Sequence, residues 1–391
     1  MYVLEGQSRL PGCAPGLLSL PTSEMGTAKD ISPGWPQSLP DIAIGQVSCL
    51  IPIVGTGMRR REFLGVMGSA ASLPLAALAQ QPAEMKRLAM VHPSDPVGTF
   101  VPSYHRSYRA FFDELSRLGF VEGKNLVVER YSAEGQPDRY AKLAYDVVDR
   151  HPDVIFSMSG SVGLAFKAAT TTIPIVTTAS DPLAQGLVSN IAKPGGNLTG
   201  TSVNAGLEIW GKRIGLLKET LPKLSNLCVL AQTQEGWEGP FNSEVRQAGK
   251  AASTALNAVV FDGKFDDAQY QRVFAAFEQD RPDAFIVLSY PVHLTNRVTI
   301  VGLAAKHRLP AMYPYREFVE VGGLMSYSSD LTELLRSTGN QIGQILNGTN
   351  PRDIPFSQVT RYELSLNLKT ATSLGLEFPA TLLGSSDLIV E

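Results

Sequence analysis

The spacing of hydrophobic residues changes regularly along the chain from residue 85 onward. Short apolar runs such as Arg87–Val91 and Asp153–Met158 alternate with longer stretches such as Tyr104–Leu118, where apolar positions recur every three or four residues. A short apolar run bounded by polar residues is typical of a buried strand, and the three-and-four spacing indicates an amphipathic helix. The pattern predicts strands joined by helices, which is the arrangement of a parallel sheet covered on both faces.

This alternation predicts two similar series of elements followed by a tail. In the first series the predicted strands are Arg87–Val91, Asn125–Tyr131, Asp153–Met158 and Ile173–Thr177, with helices at Tyr104–Leu118, Asp138–Arg150 and Ser161–Thr170. After a helix at Leu207–Leu221, the second has strands at Asn226–Ala231, Ala258–Asp262, Ala284–Leu288 and Pro310–Met312, with helices at Glu244–Ala255, Asp266–Gln279 and Leu294–His307. The tail adds a strand at Leu324–Tyr327, a helix at Leu331–Asn347 and a strand at Gln358–Leu366.

The two series predict an α/β fold with two Rossmann-like lobes, each built on a parallel sheet, and a hinged cleft between them. The tail elements are expected to complete both lobes. The first lobe is therefore predicted to contain residues 85–203 plus about 322–350, and the second lobe residues 204–321 plus about 351–391.

The first 79 residues have a different character. Residues 1–57 lack strand or helix periodicity and carry scattered prolines, which predicts a disordered or non-native extension. Residues 58–79 open with Met58 and three arginines, continue as an uncharged apolar run and end on small residues, which is the pattern of an export signal. The Arg-Arg-x-Phe-Leu order resembles a twin-arginine signal, with general secretion as the alternative route. We expect Met58 to be the physiological start, cleavage near Ala79 and a periplasmic location.

Composition and motifs narrow the classes of function. Among 391 residues, 34 are basic and 37 acidic, so the net charge of −3 gives no broad basic surface and predicts no nucleic-acid partner. There is no His-Glu-x-x-His motif, no paired-cysteine motif and no Gly-x-Ser-x-Gly elbow. We therefore expect no catalytic site, no metal site and no cofactor, and a small molecule as the ligand.

In a doubly wound sheet, ligands bind outside the carboxyl ends of the strands, where loops and helix N-termini converge. This rule selects polar and aromatic residues after the predicted strands of both lobes: His92, Ser94, Asp95, Ser159, Gly160, Ser161, Asp181, Gln232, Thr233, Ser289, Tyr290 and Tyr313. Each has a structural alternative. Ser159 and Ser161 also fit a helix N-cap, Asp181 a turn before a proline, His92 a strand-end residue, and Tyr313 a half-buried aromatic.

Several ordered segments between residue 86 and Glu391 resemble one known family. They are Gly119–Leu126, Thr172–Val176, Ser180–Val188, Lys193–Gly200, His307–Tyr313, Gly322–Tyr327 and Glu363–Ala371. The family is that of bacterial ABC-transporter substrate-binding proteins, of the type represented by tryptophan- and tyrosine-binding periplasmic components. The loops at His92–Pro96, Ser159–Val162 and Gln232–Trp237 depart from the family's usual sequence, so the resemblance does not fix the ligand.

The resemblance implies a type I periplasmic-binding fold, in which two lobes close over a small ligand and the closed form docks on an inner-membrane ABC permease. It adds Ser202 and Asn204 to the expected ligand contacts and implies a monomer. An amino-acid ligand would place its carboxylate at Ser161 and its ammonium group at Asp181, with an apolar side chain near Tyr290 or Tyr313. Two alternatives remain: a ligand-sensing partner of a membrane sensor or chemoreceptor, and a secreted α/β hydrolase.

Overall fold

The computed structural model describes residues 85–203, 207–231, 237–239, 242–261 and 265–391. The predicted extension 1–57 and export signal 58–79 lie outside these residues. The strands are β1 (Lys86–His92), β2 (Leu126–Ser132), β3 (Val154–Ser157), β4 (Ile175–Ala179), β5 (Leu198–Ser202), β6 (Asn226–Ala231), β7 (Ala255–Val260), β8 (Ala284–Val287), β9 (Ala311–Tyr313), β10 (Met325–Ser329), β11 (Ser357–Gln358), β12 (Tyr362–Asn367) and β13 (Leu388–Val390).

The α-helices connect these strands and cover the sheets. They are α1 (Arg106–Arg117), α2 (Tyr140–Val148), α3 (Gly160–Ala169), α4 (Leu207–Thr220), α5 (Ser243–Ala251), α6 (Asp267–Ala276), α7 (Pro291–Thr295), α8 (Arg297–Lys306), α9 (Arg316–Glu320), α10 (Leu331–Leu346), α11 (Leu368–Leu374) and α12 (Ala380–Ser385). Short 3-10 helices occur at Val97–Thr99, Pro137–Arg139 and Pro351–Asp353.

The first lobe is built on a parallel sheet of six strands in the order β11-β5-β4-β3-β1-β2. Both faces are buried. Phe111 and Phe156 lie in a core on one face, beneath α1 and α10, while Val162 and Phe166 of α3 lie in a core on the other. Burial on both faces explains why the central strands β1 and β3 carry continuous apolar runs rather than an alternating pattern.

The second lobe is built on a sheet of seven strands in the order β13-β12-β10-β9-β8-β6-β7. β12 runs antiparallel to β10, and the other neighbouring pairs are parallel. The two-lobed α/β prediction is confirmed, with one antiparallel pair that the strand-helix alternation did not predict. In the described ranges, no helix has both the length and the apolar character needed to cross a membrane.

The tail divides between the lobes differently from the predicted boundaries. The division near residue 322 placed β10 in the first lobe, but β10 pairs with β9 and β12 in the second sheet. The predicted strand Gln358–Leu366 is two strands: β11 pairs with β5 in the first lobe, and β12 belongs to the second. The chain therefore crosses between the lobes between β5 and α4, β10 and α10, and β11 and β12. The strand that each tail segment pairs with, rather than its order along the chain, decides which lobe it belongs to.

Candidate functional site

A cavity of about 180 Å³, here called the main cavity, lies where the strand-end loops of the two lobes meet. The first lobe contributes residues after β1, β3 and β4, and the second lobe contributes residues after β8 and β9. Its walls include His92, Ser94, Asp95, Tyr104, His105, Tyr108, Ser159, Gly160, Ser161, Ser180, Ser289, Tyr290, Arg297, Tyr315 and Glu317. Most of the residues predicted from strand ends are therefore brought together.

The loop after β1 is organised by His92. Its Nδ1 accepts hydrogen bonds from the backbone N–H groups of Ser94 and Asp95, at 3.1 and 2.7 Å. Burial lowers the pKa of His92, with Asp95 opposing this effect. A ring that accepts at Nδ1 is neutral and carries its proton on Nε2, which lies 3.6 Å from the Asp95 carboxylate. His92 thus fixes the loop and presents Ser94 and Asp95 to the cavity.

The start of α3 combines capping with access to the cavity. The Ser159 side chain accepts a 3.2 Å hydrogen bond from the Val162 N–H, so the N-cap alternative for Ser159 applies. Ser161 is exposed and lines the cavity. The end of the Gln185 side chain lies close to Gly160, in the space that a β-carbon there would occupy. The first turn of α3 can therefore present N–H groups and the Ser161 hydroxyl to an anionic group.

A second cavity of about 260 Å³ adjoins the main one and contains Asp181. Its walls are Ser180, Asp181, Ala184, Val203, Ile209, Trp210, Arg213, Asn242, Ser243, Glu244, Leu288, Ser289, Tyr290, Tyr315 and Ser329. Asp181 Oδ1 accepts hydrogen bonds from the N–H groups of Leu183 and Ala184, both at 2.9 Å. The turn-forming role of Asp181 is thus present, and Asp181 faces the second cavity rather than the main one.

Direct hydrogen bonds join the two lobes across the main cavity. The Thr295 hydroxyl, at the end of α7, lies 2.7 Å from the Ser94 hydroxyl and donates to the Asp95 carboxylate. Arg106 of α1 lies 3.1 Å from the Glu363 carboxylate of β12, near the crossings between the lobes. Because these contacts join side chains of different lobes, they exist only while the lobes are together.

Glu317 is a buried acid in the wall of the main cavity. It is 3% exposed, and neither carboxylate oxygen has a hydrogen-bond partner among the described residues. His105 Nε2 lies 3.4 Å away and Arg106 Nη2 3.7 Å away, while Glu320 and Glu363 add negative charge nearby. Burial raises the pKa of Glu317 to about 7, although Arg106 opposes the shift. Glu317 therefore changes charge near neutral pH, inside the cavity.

Glu317→Gln is expected to flatten the decline in stability with rising pH. The pKa of Glu317 is about 7 in the folded protein and near 4.5 in an unfolded chain. Between these values the folded state holds a proton that the unfolded state has lost, so the free energy of unfolding falls as the pH rises. Urea titrations from pH 5 to pH 8 should show that wild type loses roughly 1–3 kcal/mol more than the variant.

The exposed Glu208 of α4 provides the control for this experiment. Glu208→Gln should keep the wild-type dependence on pH. A Glu317→Gln protein whose stability falls as steeply as wild type between pH 5 and pH 8 would contradict the assignment.

The remaining predicted residues lie elsewhere. Tyr313 is 1% exposed and packs in the core of the second lobe, contributing to neither cavity wall. Ser202 is buried in β5, and its hydroxyl donates to the Ser180 carbonyl at 3.0 Å. Asn204, Gln232 and Thr233 lie outside the described residues. Throughout the part of the chain that the structure describes, no group of His, Cys, Asp or Glu residues is placed to hold a metal ion.

Sequence reasoning missed several residues of the two cavities. They are Tyr104, His105, Tyr108, Arg213, Arg297 and Glu317. Most lie on helices or at helix ends rather than directly after a strand. Tyr315 was not missed, because it lies two residues beyond β9 in the segment Tyr313-Pro314-Tyr315, which the strand-end rule selects.

Comparison with known proteins places the chain among solute-binding proteins. A family model described as ABC transporter substrate binding protein matches residues 99–390. A tyrosine-binding protein from Clostridioides difficile strain R20291 is 25% identical over 290 residues, covering 71% of this chain and 78% of that protein.

Solved structures show the same fold. A conserved domain protein from Vibrio cholerae O1 biovar El Tor strain N16961 matches with a TM-score of 0.70 at 22% identity, covering 78% of this chain and all of that one. The ABC domain in complex with L-Trp from Streptococcus pneumonia matches with a TM-score of 0.68 at 21% identity, covering 78% of this chain and 99% of that one.

Proposed function

The chain belongs to the family of ABC transporter substrate-binding proteins, and from this premise we propose that it is an exported receptor that captures a small zwitterion. The ligand would be an aromatic amino acid or a related molecule, bound between the lobes and delivered to an inner-membrane permease. The receptor would act as a monomer and would bind its ligand without chemical change. The arginine-rich pattern at residues 58–79 supports export to the periplasm.

The observation that carries this proposal is the composition of the main cavity, whose walls come from both lobes. Asp95 and Glu317 offer acidic groups to an ammonium ion, while Ser161 and the first turn of α3 offer donors to a carboxylate. Tyr104, Tyr108, Tyr290 and Tyr315 supply aromatic surface. A zwitterion with an aromatic side chain uses all three features, and a relative at 25% identity is named for tyrosine binding.

The mechanism we propose is closure of the lobes. A ligand in the main cavity contacts both lobes only when they are together, so its binding energy favours the closed form. The bonds of Thr295 to Ser94 and Asp95 favour the same form without ligand. Closure would then signal occupancy to the permease, because a bound ligand increases the population of the closed form in which the lobe surfaces hold one relative position.

The proposal is tested by thermal unfolding and calorimetry with L-tyrosine and L-tryptophan, after ligand has been removed by partial unfolding and refolding. A ligand at 100 times its Kd stabilises the folded state by about 2.7 kcal/mol, so at least one of these amino acids should raise the melting temperature clearly. Thr295→Val, which keeps the side-chain shape but removes the hydroxyl, should weaken this binding about fivefold, since a hydrogen bond contributes about 1 kcal/mol.

Thr299→Val is the matched control for Thr295→Val. The Thr299 hydroxyl donates to Asp267 within the second lobe, at 2.8 Å, and touches neither cavity wall. Its loss should leave the affinity for the amino acid unchanged. A melting temperature that no aromatic amino acid changes would contradict the proposed ligand class. Equal affinities for wild type and Thr295→Val would contradict the role of the interlobe bonds.

A further inference from the structure

Arg213 is a buried cation in the wall of the second cavity. It lies on α4, is 2% exposed, and borders the cavity together with Trp210 of the preceding turn. Its neighbour Lys212 is exposed. The helix therefore directs one of two consecutive basic residues inward, to a position where water cannot fully solvate the charge.

The partners of Arg213 leave its charge uncompensated. Nε donates a 2.8 Å hydrogen bond to the Tyr327 carbonyl, and the guanidinium lies 4.6 Å from the centre of the Trp210 ring. Among the described residues, no carboxylate forms an ion pair with it. Burial lowers the pKa of Arg213 to about 10, partly offset by nearby tyrosines. Arg213 is therefore still a cation at neutral pH, and one hydrogen bond, from Nε, joins it to the described residues.

A buried charge without a counterion raises the free energy of the folded state, because the charge has lost its hydrating water. An opposite charge offsets this desolvation cost only when the geometry of the pair is good. Arginine offers a planar set of five donors, which suits a carboxylate held by two parallel hydrogen bonds. Within the described ranges, Nε is the nitrogen of Arg213 that donates to the protein, which leaves the two terminal nitrogens for a ligand. Asp181 and Glu244 border the same cavity without pairing with Arg213 in the described part of the chain, so they do not supply the missing anion.

The second cavity adjoins the main one, and the two share walls. Ser180, Val203, Ser289, Tyr290 and Tyr315 border both. A solute that occupies the main cavity and reaches Arg213 would pass between these shared residues. The aromatic surface of Trp210 and Tyr290 makes this passage suitable for a flat or apolar segment.

We propose that Arg213 forms an anion subsite in the second cavity, which binds a carboxylate group of the captured solute. This inference rests on the proposed function, because the carboxylate bound by Arg213 is part of the solute that the receptor transports. It deepens that function by defining a solute class, because a molecule that fills both cavities carries an acidic group in addition to the group held at Ser161 and α3. Uncharged analogues of such solutes are expected to bind less tightly.

The test compares sodium benzoate with benzamide, which has nearly the same shape without the charge. Millimolar benzoate should raise the melting temperature of wild type, and benzamide should not. Arg213→Met keeps much of the side-chain length but removes the charge, and the affinity for benzoate measured by calorimetry should fall at least tenfold, about 1.4 kcal/mol. The ligand-free variant should be at least as stable as wild type, because a buried uncompensated charge is removed.

Lys212→Met is the control, since Lys212 precedes Arg213 on α4 but is exposed and borders neither cavity. It should keep the response to benzoate. If benzoate binding depends equally on Lys212, or survives in Arg213→Met, or does not occur in wild type, the subsite is wrong. A strongly destabilised Arg213→Met that still binds benzoate would show a structural role. The L-tyrosine and L-tryptophan measurements test the proposed function separately. A benzoate response that depends on Arg213, without any response to the amino acids, would contradict the proposed amino-acid ligand but not the anion subsite.

Discussion

Gly200→Ala is expected to destabilise the first lobe by about 4 kcal/mol or more, well above the usual cost of overpacking. Gly200 lies in β5 opposite Thr177 of β4, and an added β-carbon would collide with the Thr177 carbonyl oxygen. It would also lie 2.9 Å from the backbone C and N atoms of Thr177. These are backbone atoms of a buried central strand, so no side-chain rotation can relieve the contact. Urea unfolding should show a large fall in the midpoint.

Gly302→Ala provides a control at a glycine with free space around it. Gly302 lies within α8, and a β-carbon there has no neighbour within 4 Å. Alanine has the higher helix propensity, so this variant should be more stable than wild type by up to about 1 kcal/mol. Similar losses for Gly200→Ala and Gly302→Ala would show that the collision with β4 is not the cause.

The fold was predictable where the apolar periodicity was strong. The prediction failed where a buried strand contains polar residues. The predicted strand Asn226–Ala231 coincides with β6. β5 was missed because Leu-Thr-Gly-Thr-Ser reads as a turn, although all five residues are buried. Its hydroxyls are satisfied from far along the chain: Thr199 donates to the Ile354 carbonyl at 2.7 Å, and Thr201 lies 3.1 Å from the Thr338 hydroxyl. A local pattern cannot reveal partners that distant.

The candidate site was predictable where a strand end leads directly into the cavity. This rule found Ser94, Asp95 and Ser161 in the first lobe and Tyr290 in the second. It could not find Glu317, which lies on a helix. An amphipathic pattern shows that a helix has a buried face, but not whether that face contacts the core or a cavity. Whether such a residue borders a cavity depends on how the two lobes meet. The local sequence pattern carries no information about that arrangement.

For a related reason, the structure places Tyr313 in the core of the second lobe rather than at a cavity wall. Tyr313 is the last residue of β9, whose sheet is covered on both faces. A side chain at this position is therefore buried whichever face of the sheet it lies on. Its ring stacks on Phe318 at 5.0 Å and meets the edge of Phe285 at 6.0 Å between centroids. Tyr315, two residues further along the chain, borders both cavities. The strand-end rule identified the correct loop but not the residue.

Tyr313→Ala is therefore expected to reduce the free energy of unfolding by about 4 kcal/mol, as for other large aromatic residues removed from cores. Urea unfolding should show the loss, and Tyr145→Ala, at a residue that is 56% exposed on α2, should change stability by less than about 0.5 kcal/mol. Under conditions where Tyr313→Ala is folded, its affinity for the ligand should remain near that of wild type, because the side chain contributes to neither cavity wall. Normal stability with lost binding would instead place Tyr313 in the site.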